Sequence, residues 1–194
     1  MSESKRASDF HFHCHTLSGV KPGPRLIVLG AVHGNETCGT KAIERVLCDI
    51  EESRLNITSG MVTFVPITNP LAYHRHQRTG DRNLNRNLYP VENPKDFEDH
   101  VANWLCPLLA EHDVLLDLHS TRAQNPAFAM LGPEDNSGNL QAFKHQDEER
   151  ALALRHDESR AAFDVRWEVR RMRPKPSARR RVGSFDVRAV SSTG

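Results

Sequence analysis

Residues 26–36 read LIVLGAVHGNE. The first seven are apolar and rich in β-branched side chains, which predicts a buried strand. HGNE follows without a spacer, and Ile43, Val46, Leu47 and Ile50 then recur at helical spacing. That spacing predicts an amphipathic helix over 36–50. Downstream, MVTFVPIT (61–68) predicts a second strand, with Pro66 marking a bulge or the strand end. Residues 69–94 are polar and read as a long loop, the kind that is usually functional or disordered. Phe97, Val101, Trp104, Leu105 and Leu108 predict a helix over 95–111. VLLDL (114–118) and PAFAML (126–131) predict two more strands, and Leu140, Phe143, Leu152 and Leu154 a helix over 137–155. Upstream, DFHFHCHTL (9–17) alternates like an edge strand, with His11, His13 and His15 on its exposed face. VKPGPR, with two prolines and a glycine, predicts a chain break. Alternating strands and helices predict an α/β protein, a mixed sheet with helices on both faces.

Composition narrows the class. The chain has 194 residues, 38% hydrophobic and 26% charged, which suits a globular protein. No stretch of about 18 apolar residues exists, so no membrane span is expected. The N-terminus, MSESKRASDFHFHCH, has no apolar signal core. Cys14, Cys38, Cys48 and Cys106 are scattered without a CxxC pair and read as reduced thiols. A cytoplasmic location is the expectation. The net charge of +1 divides unevenly: residues 1–154 hold 15 basic and 20 acidic residues, residues 155–194 hold 11 and 5. The expected organisation is therefore a body over 1–154 and a basic, poorly ordered tail over 155–194. A short strand at 163–169 is conceivable there, with nothing packed beyond it. Arg170, Arg171 and Arg179–Arg181 lack interleaved aromatics apart from Trp167, so the tail reads as solvated rather than as a nucleic-acid arm.

His33 and Glu36 fall where the first strand turns into its helix, and His119 follows the strand at 114–118. Neighbouring strand ends in an α/β sheet converge on one edge, where ligand sites form. Two imidazoles and a carboxylate suit a catalytic zinc ion, which takes three protein ligands and keeps one position open. HxxE alone arises often by chance; HGNE directly after LIVLGAV, with DLHS after VLL, is more specific. A glycine inside HGNE suits a sharp turn beside a metal. The loop stretch RTGDRNLNR (78–86) is a solvated surface or a second functional group. An arginine fork binds a carboxylate with two hydrogen bonds, and another arginine beside zinc stabilises an oxyanion.

HGNE, TNPLA (68–72), RTGDRNLNR (78–86) and DLHST (117–121), in this order, resemble the succinylglutamate desuccinylase/aspartoacylase family, which is zinc-carboxypeptidase-like. The resemblance spans roughly residues 24–135. It implies one Zn2+ per chain on His33, Glu36 and His119. It implies that Arg78 polarises the scissile carbonyl and that Asn85 and Arg86 hold the substrate carboxylate. The implied reaction is hydrolysis of the amide of a small N-acyl amino acid by metal-activated water. Two features depart from the family. Asn83 stands where many relatives have an acidic residue orienting the first zinc histidine, with Asp81 as a possible substitute. No ExG-like motif carrying a glutamate base follows His119; Glu168, in VRWEVR, lacks that setting. The usual C-terminal β domain is also missing from this reading. The alternatives are a metallocarboxypeptidase acting on peptide C-termini and a metal-binding remnant without turnover.

Overall fold

The computed structural model describes residues 9–120, 128–131, 165–171 and 187–189. In chain order the elements are β1 (His15–Ser18), β2 (Lys21–Leu29), α1 (Cys38–Glu51), β3 (Leu55–Ile57), β4 (Ser59–Val65), α2 (Pro70–His74), α3 (Phe97–Ala110), β5 (Val114–Ser120), β6 (Phe128–Leu131), β7 (Val165–Arg171) and β8 (Val187–Ala189). The main sheet has the order β1-β4-β2-β5-β7-β6. β2 runs parallel to both β4 and β5, β6 runs parallel to β7, and β1–β4 and β5–β7 are antiparallel. The expected mixed sheet is thus present, with β2 and β5 adjacent at its centre.

Alternation along the strands assigns the two faces. Ile27, Leu29 and Leu115 pack with Leu71 of α2 and with Phe97, Val101, Leu105 and Leu109 of α3. Val28, Val62, Phe64 and Leu118 pack against Ile43, Val46, Leu47 and Ile50 of α1. Period-2 strands between period-3.6 helices put one helix layer on each face, as the pattern predicts.

Three expectations need correction. VKPGPR does not break the chain: Lys21–Arg25 belongs to β2, and a register shift between Lys21 and Arg25 absorbs Pro22 and Pro24. A bulge tolerates residues that lack a ladder donor. The edge strand at the N-terminus is only His15–Ser18; upstream, Phe10 and Phe12 turn onto Phe97 and Trp104 instead. The loop over 69–94 begins with a helical turn, α2, whose N-cap Asn69 accepts from Ala72 N at 3.1 Å.

Pro66 lies just past β4, as a strand end. The stretch expected as a tail contributes β7 along all of β5, and β8 pairs with β3, although nothing packed was expected beyond 169. The helix expected over 137–155 lies outside the described residues. Among the described residues no helix is long and apolar enough to cross a membrane.

His112 ties the α3 end to the sheet. Its Nδ1 donates to the Leu108 carbonyl at 2.8 Å, so its Nε2 accepts from the Thr63 hydroxyl, also at 2.8 Å. Burial pushes its pKa below the ordinary value of 6.5, Arg25 acts in the same direction, and the Leu108 carbonyl, Glu111 and Asp113 oppose it. A depressed folded-state pKa contributes stability that is complete above the unfolded value and is lost as pH falls below it. The melting temperature is therefore expected to fall from pH 7.5 to 5.5, with a smaller fall in His112→Gln; equal falls in thermal scans would refute this.

Candidate metal centre

β2 ends at Leu29, and Gly30–Thr37 carry the chain over the sheet edge into α1. The left-handed backbone position is Ala31, whose φ is +48°, while Gly34 lies in the hydrogen-bonded turn from His33 to Glu36. A Cβ on Gly34 would lie 2.0 Å from the Ala72 carbonyl carbon and 2.2 Å from Tyr73 N, because α2 crosses directly over it. The sharp turn expected at the HGNE glycine is present, closed by Glu36 N donating to the His33 carbonyl at 3.0 Å, and the contact with α2 adds a second demand for glycine.

The structure brings His33, Glu36 and His119 together, all buried, with one ligand atom from each lying within 4.8 Å of the others. His33 Nδ1 is 3.2 Å from His119 Nδ1 and 3.0 Å from Glu36 Oε1. His119 Nδ1 is 2.9 Å from Glu36 Oε2, which also accepts from Ser120 N at 3.0 Å. Zinc–ligand bonds of about 2.0–2.1 Å give a tetrahedral edge of about 3.3 Å, so these separations suit a tetrahedral ion.

The outer ring nitrogens settle the tautomers. His33 Nε2 is 3.2 Å from Asn83 Oδ1, and His119 Nε2 is 2.8 Å from Asp117 Oδ2. Both partners are acceptors, so each Nε2 carries a proton, and each ring in its neutral form has its lone pair at Nδ1, facing the other. Two facing lone pairs beside a carboxylate call for a cation. Without a metal, a proton between His119 Nδ1 and Glu36 takes the cation's place, and a metal entering would displace it. Burial acts to raise the Glu36 pKa, but hydrogen bonds from His119 and His33 outweigh it and hold the carboxyl far below the usual range. Burial acts to lower the His119 pKa, but Asp117 and Glu36 push it up to about 9.

Asn83 therefore meets His33 through its amide oxygen, in the place where many relatives have an acidic residue. Asp81 does not substitute: its Oδ2 accepts from Phe97 N at 2.9 Å and its Oδ1 meets Arg75 at 3.3 Å. Asp117 was not singled out in advance. Its two-residue spacing from His119 on one strand face was the available signal. Asp117→Asn is expected to weaken zinc binding by about 10–100-fold, read by competition with a chromophoric chelator. An unchanged affinity would remove Asp117 from the centre.

Arg78 reaches the trio, donating from Nη1 to Glu36 Oε1 at 2.7 Å, while more than half of its side chain stays exposed. Asn85 N donates to Asn83 Oδ1 at 3.0 Å. Asn85 also lines a recess of about 40 Å³ with Leu29, Val32, Leu84 and Asp117. Arg86 is exposed, its Nη1 donating to the Asn85 carbonyl at 2.7 Å. The loop thus holds Arg78 and Asn83 on the trio and leaves Arg86 at the surface. Glu168 stands in register with Asp117, and Arg166 with His119, across the β5–β7 pair.

The succinylglutamate desuccinylase/aspartoacylase catalytic domain matches residues 22–166. The chain belongs to that family. The members that give the family its name are hydrolases that remove an acyl group from an amino acid. A curated relative named "Probable aspartoacylase", from Prochlorococcus marinus, is 31% identical over 104 residues, 51% of this chain and 34% of its own length. The crystal structure of an aspartoacylase family protein from Mesorhizobium loti matches with a TM-score of 0.54 at 20% identity, covering 81% of this chain and 55% of that one. The product-bound ectoine utilization protein of Ruegeria pomeroyi matches with a TM-score of 0.50 at 22% identity, covering 63% of this chain and 38% of that one. These likenesses establish the fold. The chain spans about a third to about half of the length of these relatives.

Proposed function

We propose that this chain is a zinc-dependent deacylase that hydrolyses the amide of an N-acyl amino acid, with residues 1–154 as its catalytic part and the cytoplasm as its location. The convergence of His33 Nδ1, Glu36 and His119 Nδ1 carries the reading. These three residues would hold one zinc ion. Zinc, when bound, lowers the pKa of a coordinated water to about 7 and polarises a carbonyl oxygen.

The chain's own residues supply the rest. Asn83 and Asp117 keep the Nε2 protons in place and so aim both Nδ1 lone pairs inward. Arg78, anchored on Glu36, stands where it can donate to the acyl carbonyl oxygen as negative charge develops there. Asn85 and Arg86 take the amino-acid carboxylate, the guanidinium through its planar fork. A small N-acyl amino acid is the substrate class that two such groups, one at the metal and one at a carboxylate, recognise together.

A second reading, a metal-binding chain without turnover, is favoured by the stretch after His119, which has no ExG-like glutamate. Loss of a positioned acid–base group costs about 10²–10⁴-fold in rate. Zinc content measured with hydrolysis of a panel of N-acyl amino acids and short peptides decides the matter. Zinc with turnover of N-acyl amino acids supports the proposal, and zinc without turnover supports the second reading. Preferred cleavage of peptide C-termini would make the chain a metallocarboxypeptidase, and absence of zinc would overturn all three.

A further inference from the structure

Glu98, on α3, is fully buried, and no basic side chain pairs with it among the hydrogen bonds that hold it. Its Oε1 accepts from Asn69 Nδ2 at 2.8 Å and from Gly80 N at 2.9 Å. Its Oε2 accepts from Asp81 N and from Arg82 N, both at 3.1 Å. Four N–H dipoles converging on one carboxylate offset the cost of burying its charge, as in an anion-binding nest of backbone amides. Three of the four come from consecutive residues of the loop that carries Arg78, Asn83 and Asn85.

The anchor is tight on the loop side as well. A Cβ on Gly80 would lie 2.5 Å from Glu98 Oε1, so a side chain there would push the carboxylate away from its donors. The neighbouring turn of α3 reinforces the contact. Phe97 N donates to Asp81 Oδ2 at 2.9 Å, and Arg82 Nη2 donates to Asp99 Oδ1 at 2.8 Å. Residues 80–82 are thereby fixed between Arg78, which meets Glu36, and Asn83, which meets His33. Asn69 brings in α2 through the same carboxylate, and α2 is the helix that lies over Gly34.

We propose that Glu98 is the positioning residue of the clamp loop: its buried carboxylate sets where Arg78, Asn83 and Asn85 stand relative to the metal ligands. The functional half of this inference rests on the reading of the loop as a carboxylate clamp. An apolar residue at 98 would fill the core equally well and leave four N–H groups unpaired. Glutamine would turn an NH2 toward two donors whichever way its amide is oriented. The metal ligands themselves come from the β2–α1 turn and β5, so the anchor reaches them only through their loop and α2 neighbours.

The test compares the zinc-loaded full chain with Glu98→Gln, Gly80→Ala and Val101→Ala. Val101 is buried on the same helix but belongs only to the apolar cluster. Amide hydrogen exchange is followed over residues 78–86 and over β4, and L-aspartate serves as a product probe in calorimetry. In Glu98→Gln and Gly80→Ala, exchange over 78–86 is expected to rise by about tenfold or more while β4 stays near wild type. L-Aspartate should bind about tenfold or more weakly, with zinc still at one per chain. Val101→Ala should not loosen 78–86 beyond β4. Wild-type exchange and binding in both nest variants would overturn the proposal, as would equal loosening in Val101→Ala. Failure of both nest variants to fold would overturn it too, since Glu98 would then serve the whole fold. If the wild type does not bind L-aspartate while the exchange pattern holds, the clamp reading falls and the positioning role stands.

Discussion

His119→Ala is expected to lower zinc binding by more than about 100-fold, since orienting partners alone are worth about 10–100-fold and a direct ligand more. The purified variant should carry almost no zinc, whereas the wild type carries one ion per chain. Zinc should also raise the melting temperature of the wild type, by about 2.7 kcal/mol of added stability at a hundredfold excess over Kd. It should leave His119→Ala unmoved. His33→Ala should lose zinc equally, but the two variants should differ without metal. Removing His119 strands the buried Asp117 carboxylate and takes a partner from Glu36. Breaking buried pairs of this kind costs about 3–5 kcal/mol. Removing His33 also takes a partner from Glu36, but beyond that it strands only the neutral amide of Asn83 and no second carboxylate. Atomic absorption with parallel melting curves checks both parts. Full zinc content in either variant would dismantle the proposed centre.

Gly34→Ala is expected to be the most damaging single-methyl change in the metal-binding turn. The added Cβ would meet Ala72 C, Ala72 O and Tyr73 N at 2.0–2.2 Å, all backbone atoms that no rotamer change can move aside. Either α2 or the turn holding His33 must shift. Overpacking in well-packed surroundings costs about 1–3 kcal/mol, and a backbone clash this close belongs at or above the top of that range. The shift also moves His33 relative to His119, so zinc affinity should fall together with the melting temperature. Denaturant titration with and without zinc reads both. A variant with wild-type midpoint and zinc content would show that α2 does not lie against this turn.

Much of the centre is visible in the linear chain because it is local. Continuous apolar runs place 26–32 and 114–118 as buried strands, of which the first ends three residues sooner, at Leu29, and ligands at strand ends converge wherever neighbouring strands are parallel. HGNE and DLHS therefore announce their own meeting once β2 and β5 are adjacent. The spacing of Ile43, Val46, Leu47 and Ile50 likewise settles which face α1 buries. The reading failed where a local signal was outweighed by a distant partner. VKPGPR looked like a break, yet pairing with β4 keeps most of it in a strand. The HGNE glycine does lie in a turn, yet what forbids a side chain there is α2, a contact that no local signal records.

From its residues alone, then, the chain specifies its α/β layering, its family and, by type and order, the three residues of the candidate metal centre. Tertiary structure alone decides what holds those ligands. Asn83 meets His33 across 50 positions, and Glu98 meets Asn69 across 29 and Gly80 across 18. No period of 2 or 3.6 residues records such distances. A buried carboxylate and a row of loop amides select each other only when the fold removes both from water, where leaving either unpaired is costly.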